Sequence, residues 1–257
     1  GVEAPLSKKA VSEYEARIAC VQGGSLRNAI PREAVAILAV SEENEKAFTK
    51  LVNAFAKTAK AEFAAVEPGL TIKAKAIEMP AKVMPETIQN KLLDMVFALP
   101  NGVLRMSDSM PGLVETSNNL AIVKAENGHI EIASLMRSSV DSAKTAVGQK
   151  MTAVARLAGA EISLEGAYPG WKPNMESPIL QTAKKVYKAK FKKEPAFMAI
   201  HAGLECALFS VSYPNWDMIS FGPTIMHPHS PDERVNIESV GKFWDFIVEL
   251  LKNIPKK

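Results

Sequence analysis

Asn127-Gly128 stands between two runs that alternate apolar and polar residues, NLAIVKA at 119–125 and HIEIASLMR at 129–137. Two-residue hairpin loops of the common type I′ need positive φ at both positions, and this dipeptide tolerates it better than almost any other. The pair therefore predicts an antiparallel hairpin in the middle of the chain. Everything else in the first two thirds has to be arranged around it.

Residues 5–18 suit a short leading helix, and ARIACVQGG then reads as a strand ending at Gly23-Gly24. AVAILAV (34–40) is apolar enough for a second, buried strand. Ser41 is placed as an N-cap with Glu42 and Glu43 in the first turn, and Phe48, Leu51, Val52, Phe55 and Ala59 recur at helical spacing over 42–65. After Pro68-Gly69, LTIKAKAI (70–77) alternates like a half-buried strand, and a helix over 86–98 carries Ile88, Leu92 and Met95 on one side. Beyond the hairpin, 141–159 is a helix with Val147, Met151, Val154 and Leu157 in one stripe and Gly159 as its stop, before AEISLEGAY (160–168) returns as a strand. Strand–helix–strand thus occurs twice, near 34–77 and 129–168. It predicts an α+β, lid-like domain of two related halves.

GAYPGWKPNMESP (166–178), with three prolines and two glycines, punctuates the chain. The expected division is a domain over 1–172, with 1–18 a leading helix or an added remnant, and a second segment over 173–257. That segment reads as helix 178–192, strand 196–203, helix 204–210, strand 217–224 and helix 238–253, the last with Val240, Phe243, Trp244, Ile247, Leu250, Leu251 and Ile254 as its apolar set. Alternating strands and helices predict a parallel α/β arrangement. Two strands are too few for a free-standing parallel sheet, whose faces must both be covered, so the segment is expected to be an incomplete piece of a larger α/β domain.

Composition narrows the function classes. At 257 residues with 47% hydrophobic and 23% charged, the chain is that of a folded protein rather than a disordered one. The net charge is +3, and the densest basic stretch, KKVYKAKFKK (184–193), has apolar residues at helical spacing, which favours a solvated helix face over a nucleic-acid patch. No apolar run reaches the roughly 18–20 residues of a membrane span. The start, GVEAPLSKK, has no apolar signal-peptide core and begins with Gly, as a processed, tagged or excised chain would. Cys20 and Cys206, without a CxxC, argue against a disulfide framework or structural zinc module and suit a reducing compartment such as the cytoplasm.

Few residues stand out for chemistry. His129 follows the Asn-Gly turn as an exposed strand residue. His201 ends a strand, where ligands bind in open α/β sheets; a histidine bonded to backbone is the equal alternative. His227 and His229 follow another strand, with Asp232 and Glu233 nearby, but metal ligation needs several convergent donors and the residues alone leave both readings open. Arg137 at a strand end is placed either to clamp a carboxylate with its two-pronged guanidinium or to form a surface salt bridge. Asn28 either presents an amide to a ligand or organises a turn before Pro31.

Taken together, GGSLRNAIPREA, LPNGVLRMSD, GLVETSNN, GAYPGWKP, IHAGLECALF and GPTIMHPHSPDERVNIESVGKFW resemble the aminoacyl-histidine dipeptidases. These Xaa-His dipeptidases are also called peptidase D or bacterial carnosinase-like enzymes, and belong to the wider group of two-zinc exopeptidases. The likeness runs in order from about residue 16 to the end. It implies a cytoplasmic metallo-dipeptidase whose di-zinc α/β catalytic domain is interrupted by an α+β lid, with the return to the catalytic domain near residue 170. Hydrolysis would use a water held and acidified by two zinc ions, with a glutamate as general base.

Carried over residue by residue, the resemblance makes His229, in HSPDE, the metal ligand supplied after the lid, and gives His227 no role. His201 and Glu205, in HAGLE, match a segment lining the substrate pocket. Asn28 and Arg137 match lid positions that contact substrate, with Arg137 directed at the C-terminal carboxylate, and Thr116 and Asn118 in VETSNN are further lid candidates. The family's H-x-D motif, its bridging Asp, its Glu-Glu pair and its Gly-His-Ser-Gly segment do not occur here (Glu42-Glu43 opens a lid helix). No catalytic residue is therefore assigned, and the chain by itself is expected to be inactive. The expected partner is a dipeptide, with no nucleic acid and no membrane, and a homodimer is left open. Two rivals are another exopeptidase or aminoacylase of the same group, against which HAGLEC speaks, and a non-catalytic peptide-binding module.

Overall fold

Asn127 and Gly128 take φ values of 52° and 79°, and the strands on either side pair from Glu126↔His129 back to Thr116↔Ser138. The predicted hairpin forms the longest ladder of a computed structural model describing residues 3–108, 110–166, 169–170, 174–197, 205–227 and 232–254, with side chains from Lys8 onward. The chain divides into two compact units, one of Gly1–Ser138 and Ser142–Glu165, the other of Ser139–Asp141 and Gly166–Lys257.

The first unit is built on a five-stranded antiparallel sheet. Its strands are β1 (Arg17–Gly23), β2 (Ala34–Ala39), β3 (Gly102–Met106), β4 (Val114–Glu126) and β5 (His129–Ser138). β4 is the spine. β5 runs along one of its edges, and β1 and β3 share the other, β1 against Val123–Ala125 and β3 against Val114–Asn118. β2 lies outside β1 and ends the sheet on that side.

The edge changes hands at a bulge between Leu120 and Ile122. There Gly24, at φ 70°, lies so close to β4 that a Cβ would stand 1.8 Å from the Ala121 carbonyl oxygen, so only glycine lets β1 turn away. The Leu120 N–H, beside the bulge, donates to Asn101 Oδ1 at 2.9 Å.

Four helices belong to this unit: α1 (Glu3–Tyr14), α2 (Glu45–Glu62, entered through a 3-10 turn at Glu42–Asn44), α3 (Glu86–Ala98) and α4 (Asp141–Ala158). Val147 and Met151 of α4 are buried with Leu99 against Leu120, Ile132 and Met136 of the sheet. Leu157, expected in the α4 stripe, is 86% exposed, because Ala155 takes the buried position one turn after Met151. On α3, Ile88 points outward while Gln89 is fully buried. Gln89 Oε1 accepts from Ile18 N at 2.6 Å and its Nε2 donates to Ala16 O at 3.2 Å, pairing backbone groups beside the β1 irregularity between Ile18 and Cys20.

The expected second strand of each half is not formed. Residues 70–77 join no ladder, and Ile77 stays 59% exposed. Residues 160–166 likewise join none, and 167–168 lie outside the described residues. Alternation marks a strand only where an edge and a covering layer are available to it. The architecture is α+β with an antiparallel sheet.

The second unit holds α5 (Pro178–Phe191), α6 (Glu205–Ser212), β6 (Ile225–Met226), β7 (Arg234–Val235) and α7 (Ile237–Asn253). Ala183 and Val186 of α5 pack with Phe246 and Leu250 of α7, joined by Tyr187, Phe191 and Ile219. Phe246, absent from the expected α7 stripe, is its centre, and Trp244 is 66% exposed. Ser177 caps α5 by accepting from Leu180 N, and its hydroxyl donates to Asp217 Oδ1 at 2.5 Å. Among the described residues this unit has no parallel ladder: 217–224 is not a strand, and most of 196–203 lies outside the described set.

Candidate functional site

Four of the residues matched to the family's lid converge near one end of the β4–β5 ladder, but not on one face. Residues paired across an antiparallel ladder point the same way, and successive residues alternate. Asn118 pairs with Met136, which packs beneath the sheet on the Leu99–Val147–Met151 cluster. Thr116 and Asn118 therefore look toward the helices, at 3% and 2% exposure. Thr116 Oγ1 shares a 2.9 Å hydrogen bond with Ser138 Oγ, and Asn118 Nδ2 donates to Pro100 O at 2.6 Å. Asn118 Oδ1 is buried without a partner among the described residues.

Arg137 pairs with Ser117, and Leu135 with Asn119, so these four occupy the opposite face. Arg137 is half-buried there. Asn28 reaches the same face from the β1–β2 loop. Asn119 Nδ2 donates to Arg27 O at 3.1 Å and to Ala29 O at 2.7 Å, the carbonyls on either side of Asn28. The sheet thus places the Asn28 loop and Arg137 on one face, and holds Thr116 and Asn118 on the other. Asn119 was not among the residues expected to matter. Its one signal in the sequence was parity: it is an amide one residue out of step with Asn118.

In the second unit, Glu205 is the exposed first residue of α6. His201, four residues before it, lies outside the described residues, as does His229. The connection that carries His229 has a fixed base. Ile225 pairs with Val235 and Met226 with Arg234, Asn236 N donates to Thr224 O at 2.9 Å, and Ser239 Oγ accepts from Thr224 N at 2.8 Å. Asn236 also caps α7 by accepting from Ser239 N at 2.9 Å. His227, with φ 53°, opens the segment that this ladder closes.

Among the described residues, no three His, Cys, Asp or Glu side chains converge in a way that could hold a metal ion. The described donors do not by themselves fit a metal centre. Neither cysteine is activated: burial pushes the Cys20 thiol up and the Glu126 charge adds to it. Burial also raises Cys206, partly offset by a backbone hydrogen bond, with Glu205 adding to the rise.

Residues 6–67 match a family model described as a peptidase dimerisation domain. Over 245 residues the chain is 42% identical to the cytosol non-specific dipeptidase of Escherichia coli K12, covering 95% of this chain and 50% of that protein. Its fold matches the crystal structure of aminoacylhistidine dipeptidase from Vibrio alginolyticus with a TM-score of 0.91 and 41% identity, over 100% of this chain and 52% of that one. Over the length it shares with them, the chain is similar to both of these dipeptidases. It spans about half the length of these relatives. The dimerisation-domain match takes in α1, β1, β2 and α2, and so includes the terminal strand of the sheet. No helix among the described residues is long and apolar enough to cross a membrane.

Proposed function

We propose that this chain supplies the lid and a C-terminal catalytic segment of a metal-dependent dipeptidase that hydrolyses Xaa-His dipeptides in the cytosol. The observation that carries the reading is the shared face of Arg137 and the Asn28 loop. A guanidinium fork binds a carboxylate through two parallel hydrogen bonds, and an exposed amide on the same face can bond a peptide group. A dipeptide offers both within one residue's length.

In this reading Arg137 receives the C-terminal carboxylate, Asn28 bonds the peptide, and His201 and Glu205 line the pocket. Thr116 and Asn118 support β4 from beneath. Zinc is the metal, with His229 one ligand, and the remaining ligands and the general base would come from outside residues 1–257. The reading also takes the protein as a homodimer, supported by the dimerisation-domain match and by the outer edge of β2, which pairs with no strand among the described residues.

The experiment is a substrate panel on the full-length protein with metal present and after chelation. Hydrolysis of Xaa-His dipeptides that chelation abolishes and zinc restores supports the reading, and activity unchanged by exhaustive chelation contradicts it. A broader dipeptide specificity is a second reading, favoured by the non-specific dipeptidase named for the E. coli relative. Equal rates on dipeptides with and without C-terminal histidine would select it.

A further inference from the structure

Asn119 ties the tip of the β1–β2 loop to the sheet. Asn119 Nδ2 carries two hydrogens and meets two carbonyls, Arg27 O and Ala29 O, at 3.1 and 2.7 Å. Both acceptors are carbonyl oxygens, so only the amide nitrogen can serve them, and the orientation of the side chain follows from its chemistry. The base of the loop is closed by Gly24 N donating to Glu33 O at 3.4 Å, and its tip turns through Ala29 N donating to Leu26 O at 3.2 Å. Asn28, between the two held carbonyls, is exposed.

The point of attachment sets a distance. On β4, Asn119 lies two residues from Ser117, the direct partner of Arg137. Two strand rises put these positions about 7 Å apart on the same face. An extended dipeptide also spans about 7 Å. A ligand of that size can reach both the loop tip and the Arg137 position.

We propose that Asn119 is a positioning residue for peptide binding, holding Asn28 at a set separation from Arg137. The proposal rests on the reading of Asn28 and Arg137 as substrate contacts given above. Freed of Asn119, the carbonyls of Arg27 and Ala29 turn to water at little cost to the fold, since the loop is exposed. What is lost is the fixed separation, and with it the simultaneous engagement of amide and guanidinium.

Asn119→Asp tests this in the full-length protein, because a carboxylate of the same shape faces the two carbonyls without a donor. The expected result is faster hydrogen exchange at residues 25–30, a rise in KM for an Xaa-His dipeptide on the order of tenfold, and an unchanged Tm. Because Asn119 acts through Asn28, the Asn28→Ala/Asn119→Asp double variant should be no worse than Asn28→Ala alone. Unchanged exchange at 25–30, or losses that multiply in the double variant, would overturn the proposal. Arg137→Ala separates the two levels. If it raises KM and Asn119→Asp does not, the positioning role fails alone; if it leaves KM at the wild-type value, the carboxylate reading fails and takes the proposal with it.

Discussion

Gly24 stands where a Cβ would lie 1.8 Å from the carbonyl oxygen of Ala121, in a left-handed conformation at φ 70°. The contact marks the point at which β1 gives up the edge of β4 and the Asn28 loop begins. Gly24→Ala must push β1 away from the bulge as well as strain the backbone, and is expected to cost about 2–4 kcal/mol of stability. Urea unfolding compared with Gly69→Ala, where an added Cβ meets nothing within 4 Å, measures it.

Gln89 holds the start of β1 from the helix beside it. It is fully buried and pairs both Ile18 N and Ala16 O. Gln89→Leu keeps the volume and leaves a buried donor and acceptor unmet, for an expected loss of about 2–4 kcal/mol. Thermal unfolding checks this, and Ile88→Ala on the outward side of the same helix should be close to neutral.

The cysteines give a pH-dependent prediction. Both thiols titrate above the ordinary value, so at neutral pH both are protonated more fully than a free thiol. The thiolate is the reactive form. Alkylation at pH 8 should therefore be slower than for a free cysteine, and its rate should climb as pH rises toward the raised pKa values. Mass spectrometry of iodoacetamide-treated protein reads both sites.

The outer edge of β2, which pairs with no strand among the described residues, gives a prediction about assembly. Val35 is 63% exposed on that terminal strand. A lysine there should leave the monomer folded while opposing any sheet-to-sheet contact between two copies. Val35→Lys is expected to shift the full-length protein from dimer to monomer in analytical ultracentrifugation, with an unchanged circular dichroism spectrum.

Some of this was legible in the residues and some was not. The hairpin at Asn127-Gly128, α3 and the strand at β2 follow from turn chemistry and periodicity, which are local. The burial expected of AVAILAV does not hold, because β2 is the terminal strand of the sheet and has no buried residue. The strands expected at 70–77 and 160–168 have the right alternation and no ladder, because pairing depends on which edges the rest of the fold leaves open. Leu157 and Phe246 exchanged the roles their helical spacing suggested, since a stripe's angle is set by the layer it meets. At the site, the family motifs singled out Asn28 and Arg137, and the ladder brings both to one face. Thr116 and Asn118 could not be separated from Asn119 by sequence, because only the pairing with Met136 tells which of the three looks inward.

The most direct test of the central claim is the ratio of kcat/KM for an Xaa-His dipeptide to that for its C-terminal amide, measured in the full-length protein with and without Arg137→Ala. If Arg137 receives the terminal carboxylate, the wild-type protein favours the free acid by on the order of 100-fold, as the loss of a charge-assisted bidentate pair implies, and Arg137→Ala brings the ratio close to one. A ratio that Arg137→Ala leaves unchanged would contradict the account.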